Sequence, residues 1–325
     1  MKEITLSDMH GIQIGHAQDE EHATGCTVIL CPEGAVAGVD VRGGGPATRE
    51  TDLLNPKNMV QKIHAVMLSG GSAFGLDAAS GAMQYLEEKG YGFHLANHCI
   101  PIVCGASLFD LSVKDGSVRP DKEMGYKACI ASEKNTFKNG CYGAGTGASV
   151  GKLLGDTYAM KSGQGMYGIQ SQDLQVCAVV AVNACGNVRD VESGEWLAGV
   201  YKDKKIVDPL QLFDQISNSN ANLPQGNTTI GCIITNAKLD KSQCNKIASI
   251  THNGYAQAIF PVHTMSDGDT IFVLSTNEVE AMSDAVGVLA THAMGKAINK
   301  AVLSSQECYG LPSANSIKGA IKDEK

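Results

Sequence analysis

Three uninterrupted apolar, β-branched runs constrain this chain more than any other feature: LQVCAVVAVNACGNV at 174–188, TTIGCIITNA at 228–237 and DTIFVLST at 269–276. A strand that faces water on one side alternates polar with apolar residues, and these runs do not, so they read as buried strands. Between and after them, KSQCNKIASITHNGYAQAI (241–259) and NEVEAMSDAVGVLATHAMGKAINKAVLSS (277–305) read as helices, the second with an acidic N-terminal turn. In the first half, IHAVMLSGG (63–71) is a short apolar run ending in glycine. The segment after it, SAFGLDAASGAMQYLEEKG, places Phe74, Ala78, Met83 and Leu86 near helical spacing. Strands and helices alternate, which gives an α/β or α+β class with stacked layers. The 37 glycines and only 5% aromatics mean that close packing comes from small residues, as suits tightly stacked layers.

The balance of 26 basic against 34 acidic residues, net −8, contains no run of Lys or Arg that would neutralise phosphates, so nucleic acid is not an expected partner. The opening MKEITLSDMHGIQIGHAQDEE turns polar and acidic where a secretory signal needs an apolar run. No stretch reaches the roughly eighteen apolar residues of a membrane span, so the expectation is a soluble, cytoplasmic chain without a membrane partner. Eleven cysteines are an odd number, and they are dispersed through a long chain, which favours reduced thiols acting as small buried apolar residues. The pairs Cys26 with Cys31 and Cys99 with Cys104 lack a neighbouring second pair, so tetrahedral zinc spacing is not met and no metal is expected.

The segment DPLQLFDQISNSNANLPQGN (208–227), whose later part is rich in Asn, Ser, Pro and Gly, reads as an exposed loop. It runs straight into a buried-type strand whose first residue is Thr228. A hydroxyl at such a junction can approach the carbonyl of the preceding peptide, a geometry that invites an N-to-O acyl shift. A Thr hydroxyl also needs a base, and a free α-amine, with its pKa of about 7.7–8.0, suits that role. That amine exists only once the Asn227–Thr228 bond is cut. Asp267 and Asp269 lie two apart in SDGDT, so they share one face of a strand or crowd into one turn. Their plain alternative is a carboxylate-capped Asp-Gly turn. Asn183, at the end of VVAVN, carries an amide NH₂ suited to holding an oxyanion, or else it is a strand-end turn residue.

The string GAGTGASVGK falls short of a phosphate loop, with Thr146 where glycine is required and Leu153 where Ser or Thr is required. Gly143, Gly145 and Ala148 satisfy a dinucleotide fingerprint, but FKNGCY before them is no apolar strand, so no cofactor is expected. GGSAFG has Phe74 in place of the second glycine of a nucleophile elbow, and there is no HExxH. His263 reads as structural support near the site.

DVRGGGPATRETDLL (40–54), LSGGSAFGLDAA (68–79), YGAGTGASVGK (142–152), NTTIGCIITNA (227–237) and HTMSDGDTIF (263–272) closely resemble the P1/DmpA family, peptidase family S58, in family order across most of residues 5–305. The resemblance implies a four-layer α/β/β/α sandwich of the DmpA/ornithine-acetyltransferase-like type. It further implies a single domain, 1–325, that processes itself into residues 1–227 and 228–325. The family contains β-aminopeptidases, an L-aminopeptidase/D-esterase and nylon-oligomer endo-hydrolases, so the implied substrate is a small peptide or amino amide, without a cofactor. Homo-oligomers, often tetramers of the processed pair, are implied as well. This chain is most similar to the Asn/Thr type found in the nylon-oligomer hydrolases. Carried over residue by residue, Thr228 is the nucleophile, Asp267 and Asp269 orient its amine and hydroxyl, and Asn183 holds the oxyanion. Tyr126, in RPDKEMGYKAC, would donate to the oxyanion or the substrate carbonyl. Lys161, in AMKSGQG, would hold carboxylates and nucleophile in register, with Lys152 its closest competitor. Two rivals stand beside this reading: an acyltransferase of the ornithine-acetyltransferase type, and an inactive assembly protein recognisable by an unprocessed chain.

Overall fold

The computed structural model describes residues 1–217 and 226–317. Its principal strands are β1 (Gln13–Asp19), β2 (Thr24–Val41), β3 (Lys62–Ser69), β4 (Val103–Ser107), β5 (Gln164–Ser171), β6 (Leu174–Asn183), β7 (Thr228–Ala237) and β8 (Thr270–Val279). The helices are α1 (Ala78–Glu88), α2 (Lys122–Ser132), α3 (Pro209–Ile216), α4 (Lys241–Ala258) and α5 (Ser283–Leu303). One sheet carries the order β5-β6-β7-β8-β2-β3-β4, flanked by Lys2–Ile4 on β5 and Thr48–Arg49 on β4, and β1 pairs with β2 off this path. The pairs β7–β8 and β3–β4 are parallel, and the other neighbours named here are antiparallel.

The 18-residue strand β2 turns this sheet into two layers. Its residues from Thr24 to Leu30 pair with β1 and β3, whereas Val36 to Val41 pair with β8, and the register shifts between Leu30 and Ala35. A break in register bends the strand and strengthens its twist. The two halves of the sheet then face each other, and β7 touches β3 and β4, which are not its sheet neighbours. Helices α4 and α5 cover the outer face of β5, β6 and β8, and α1 and α2 cover β1, β2, β3 and β4. The expected α/β/β/α layering is therefore present.

Burial on both faces explains the uninterrupted apolar runs. Along β6, Val176, Ala178, Val180 and Val182 join the helix-side core with Ile247, Tyr255, Met294 and Ile298, while Cys177, Val179 and Ala181 point into the space between the layers. Strands β7 and β8 divide in the same way, with Ile233, Ile271 and Val273 toward the helices and Ile230, Cys232, Ile234, Phe272 and Leu274 inward. Each fully buried Val, Leu or Ile contributes about 1.5–3 kcal/mol, and a polar residue on either face would forfeit it. Helix α4 starts where Asp240 and Gln243 cap each other reciprocally, at 2.8 and 2.9 Å.

Several boundaries differ from the sequence reading. Ser72–Asp77 forms a 3₁₀ turn before α1, and Phe74 is 61% exposed beneath the Arg119 guanidinium, 3.9 Å from the ring centre, and so does not lie on the buried helical face. Strand β8 continues to Val279, which delays α5 to Ser283. The start of the expected 208–227 loop is helical, because Asp208 caps α3 and Pro209 opens it; residues 218–225 lie outside the described residues. Among the described residues no helix is long and apolar enough to cross a membrane.

Candidate active site

Strand β7 begins with Thr228, opposite Asn183 at the end of β6 and alongside the turn that leads into β8. Asn227 forms a parallel bridge with Asp267, and its amide donates to the Ser266 carbonyl at 3.2 Å. Both Asn227 and Thr228 are buried. The Thr228 Oγ1 donates to the carbonyl oxygen of Asn227. The Gly268 amide donates to the same oxygen at 2.8 Å. The hydroxyl thus lies against the peptide that links the two residues, and a backbone N–H already holds the carbonyl oxygen on which negative charge would develop.

The carboxylates of the SDGDT turn are fixed by separate partners. Asp269 accepts from the Thr229 amide at 2.7 Å, the His263 amide at 3.0 Å and His263 Nδ1 at 2.8 Å. Asp267 accepts from the Thr264 amide at 2.8 Å and the Thr264 hydroxyl at 2.6 Å. Burial, reinforced by the neighbouring Asp269, raises the Asp267 carboxyl to about 6. The triple glycine of DVRGGGP is the floor of this turn: Gly45 N donates to the Asp267 carbonyl at 2.8 Å, and a Cβ on Gly43 would stand 2.2 Å from that oxygen. Only glycine lets the two backbones approach so closely.

Asn183 is fully occupied. Its Nδ2 donates to the carbonyls of Phe109 at 2.8 Å and Gly226 at 3.3 Å, and its Oδ1 accepts from the Ser149 amide at 3.1 Å and Lys152 Nζ at 2.8 Å. The ammonium of Lys152 also reaches the Asn183 carbonyl at 3.1 Å. Burial lowers the Lys152 pKa to about 8, partly offset by Cys185, Asp156 and Asp267. The chain turns at Gly151, whose amide bonds Gly186, and Lys152 N bonds Cys185, so the side chain is delivered to the end of β6.

Two carried-over residues are placed elsewhere. Lys161 is buried, but its ammonium donates to the carbonyls of Gly145, Ala148 and Ser162 and to no carboxylate. Its two-residue strand pairs with Ser149–Val150, with Lys161 opposite Ser149, and this puts the side chain behind the glycine loop and away from the SDGDT turn. The lysine that bonds Asn183 is Lys152. Tyr126 sits on α2 in an outer layer, where its hydroxyl donates to Glu88 at 2.6 Å and its ring packs edge-on against Tyr85. In this arrangement the phenol bonds Glu88 and not Asn183 or Thr228.

A pocket of about 470 Å³ opens on Thr228, lined among others by Gly45, Ala47, Ser72, Phe109 and Met265. Phe109 and Gly268 were not singled out from sequence; one contributes a ring and the other a backbone amide, neither of which has a motif. Behind Phe109, Asp110 anchors the LSGGS turn, accepting from Gly71 N at 2.7 Å and Thr24 Oγ1 at 2.8 Å, and burial raises its carboxyl to about 6.

The model of peptidase family S58 matches residues 4–320. The chain belongs to peptidase family S58 and is a hydrolase of amide bonds. This S58 peptidase is 38% identical to an uncharacterized aminopeptidase of Mycobacterium leprae, over 95% of this chain and 92% of the relative. It is 33% identical to a 6-aminohexanoate-oligomer endohydrolase of Kocuria sp., over 86% of this chain and 77% of that enzyme. Its fold is similar to that of the L-aminopeptidase D-Ala-esterase/amidase of Ochrobactrum anthropi, a variant of the N-terminal-nucleophile hydrolase fold, with a TM-score of 0.70 at 14% identity over 100% and 96% of the chains. A Burkholderia sp. beta-aminopeptidase superposes with a TM-score of 0.67 at 17% identity, covering 98% and 93%.

Proposed function

We propose that this S58 hydrolase cuts its own Asn227–Thr228 bond and uses the freed Thr228 as an N-terminal nucleophile against small peptides or ω- and β-amino amides. The observation that carries the reading is the Thr228 hydroxyl lying against the Asn227 carbonyl while the Gly268 amide donates to that carbonyl oxygen. In the first reaction, Oγ1 adds to the Asn227 carbonyl carbon, and the oxyanion is held by the Gly268 N–H. Collapse breaks the C–N bond as the proton lost by Oγ1 passes to the departing nitrogen, which frees the Thr228 amine and leaves Asn227 as an ester on Oγ1; water then hydrolyses that ester to the Asn227 carboxylate and the free Thr228 hydroxyl.

In the second reaction that amine takes the Oγ1 proton as Oγ1 attacks a substrate carbonyl. Asp267 and Asp269 orient the amine and the start of β7, and Asn183, held by Lys152, turns to the oxyanion the Nδ2 hydrogen that the Gly226 carbonyl holds in the uncut chain. Departure of the new Asn227 carboxylate widens the pocket beside Thr228. Its apolar walls at Phe109 and Met265, with the Ser72 and Ser266 hydroxyls, suit a short linear amide. Assembly into a homo-oligomer, a tetramer of processed pairs, completes the proposal, and sedimentation of the processed protein reads it.

Purified protein is expected to contain two pieces, the smaller reading TTIGC from its N-terminus. Thr228→Ala is expected to remain a single inactive 325-residue chain. Aminoacyl nitroanilides, β-alanyl amides and aminohexanoate oligomers then rank the substrates. A processed, active Thr228→Ala protein overturns the assignment.

A further inference from the structure

The pair Cys141 and Cys308 stands apart from most of the other cysteines. Cys26, Cys31, Cys177, Cys185 and Cys244 are buried in the layers, and burial pushes each thiol up to about 12, which leaves it inert. Cys141 and Cys308 are only half-buried, and the Cys308 thiol donates to Cys141 Sγ across 3.8 Å. Both line a second pocket, about 420 Å³, together with Glu20, Asn139 and Tyr309. Behind them is the Lys161 ammonium, the buried cation that the catalytic reading leaves unused, close enough to act electrostatically on both sulfurs. The Cys308 hydrogen bond, and then the Lys161 charge, hold Cys141 well below the ordinary thiol range. The same bond raises Cys308, which keeps its proton.

We propose that Cys141 and Cys308 are a reversible thiol–disulfide pair, oxidised by low-molecular-weight disulfides that enter the 420 Å³ pocket, and that their disulfide ties residues 1–227 to residues 228–325. The tie between two pieces rests on the proposed cleavage after Asn227; the disulfide itself does not. Cys141 thiolate attacks the small disulfide RSSR, forming a Cys141–SR mixed disulfide and releasing RS⁻. Cys308 then gives up its proton and attacks Cys141 Sγ, expelling the second RS⁻. Two protein thiols become one disulfide as one RSSR becomes two RSH. A disulfide needs about 2.05 Å between sulfurs, so the two must close from 3.8 Å. In a processed protein this bond would replace the peptide link lost at Thr228, limiting separation of the pieces in the unfolded state.

The test uses the full-length protein as purified, equilibrated with glutathione disulfide, quenched with N-ethylmaleimide, and then digested for mass spectrometry. A Cys141–Cys308 cross-linked peptide that dithiothreitol removes is the expected result. On a non-reducing gel, processed protein should then shift from two bands, at about 24 and about 10 kDa by residue count, to one near the 34.1 kDa of the whole chain. Cys141→Ser and Cys308→Ser should abolish the cross-link, Cys308→Ser should retain a glutathionyl group on Cys141, and Cys99→Ser should behave as the parent. If both thiols stay open to N-ethylmaleimide after oxidation, or if the cross-link survives Cys141→Ser, the pair is not a redox site. One band under reducing conditions together with the cross-linked peptide would sink the processing proposal and leave the disulfide standing.

Discussion

Replacing Asp267 by Asn should stabilise the protein while it harms maturation, because the buried carboxylate is held ionised against its own preference. The unfolded carboxyl titrates near 3.8, the folded one near about 6, chiefly through burial and then through Asp269. Within that window the folded protein keeps a proton that the unfolded chain has released, so this group's contribution to stability falls as pH rises. Above the folded value the cost is complete. At about 1.4 kcal/mol per pH unit it amounts to about 3 kcal/mol at pH ~7.5, and to about half of that at pH ~5. The carboxamide of the Asp267→Asn variant carries no charge, and its Oδ1 can still accept from the Thr264 amide and hydroxyl. Parent and variant should be compared in the Thr228→Ala background, so that neither chain is cut, with urea unfolding followed at Trp196. The Asp267→Asn chain should be the more stable by up to about 3 kcal/mol at pH ~7.5, the gap closing toward acid. With Thr228 restored, the same change should slow self-cleavage. A variant less stable than its parent at neutral pH, or a gap independent of pH, refutes the reasoning.

Asn183→Ala deletes a donor and leaves the carbonyls of Phe109 and Gly226 without it; turnover should drop by roughly 10²–10³, the usual loss for one oxyanion donor, and full activity would move that role elsewhere. Gly268→Ala puts a Cβ 2.7 Å from Thr228 Oγ1 and 3.0 Å from the Gly45 carbonyl. Precursor half-life should therefore lengthen on the order of tenfold or more, since a small misplacement of a reacting atom is costly, and parental maturation would disprove the placement of Oγ1. Lys152→Met removes a charge-assisted donor to Asn183 worth about 1.5–3 kcal/mol, so maturation and kcat should fall roughly ten- to a hundredfold. Lys161→Met should instead lower the melting temperature and leave kcat of the folded protein near the parent's, because that ammonium bonds backbone carbonyls and Cys141 and no residue around Thr228; the reverse pattern would return Lys161 to the site.

The class of the fold and most of the motifs were legible in the chain because they depend on local pattern. An apolar run without alternation demands cover on both faces, and β6, β7 and β8 receive it from helices on one side and a second layer on the other. A hydroxyl residue at the junction of a polar loop and a buried strand marked Thr228, and two carboxylates two residues apart marked the turn beside it. What local pattern could not supply was distance between segments far apart in sequence. That one strand, β2, would span both layers depends on its pairing with β3 at one end and β8 at the other. Which lysine serves Asn183 depends on the turn at Gly151, which sends Lys152 to the end of β6, while the pairing of Lys161 with Ser149 sends that ammonium behind the glycine loop. The Gly268 amide has no side chain to announce it, and the approach of Cys308 to Cys141 joins residues 167 apart in sequence, so only the closed packing of the layers decides both.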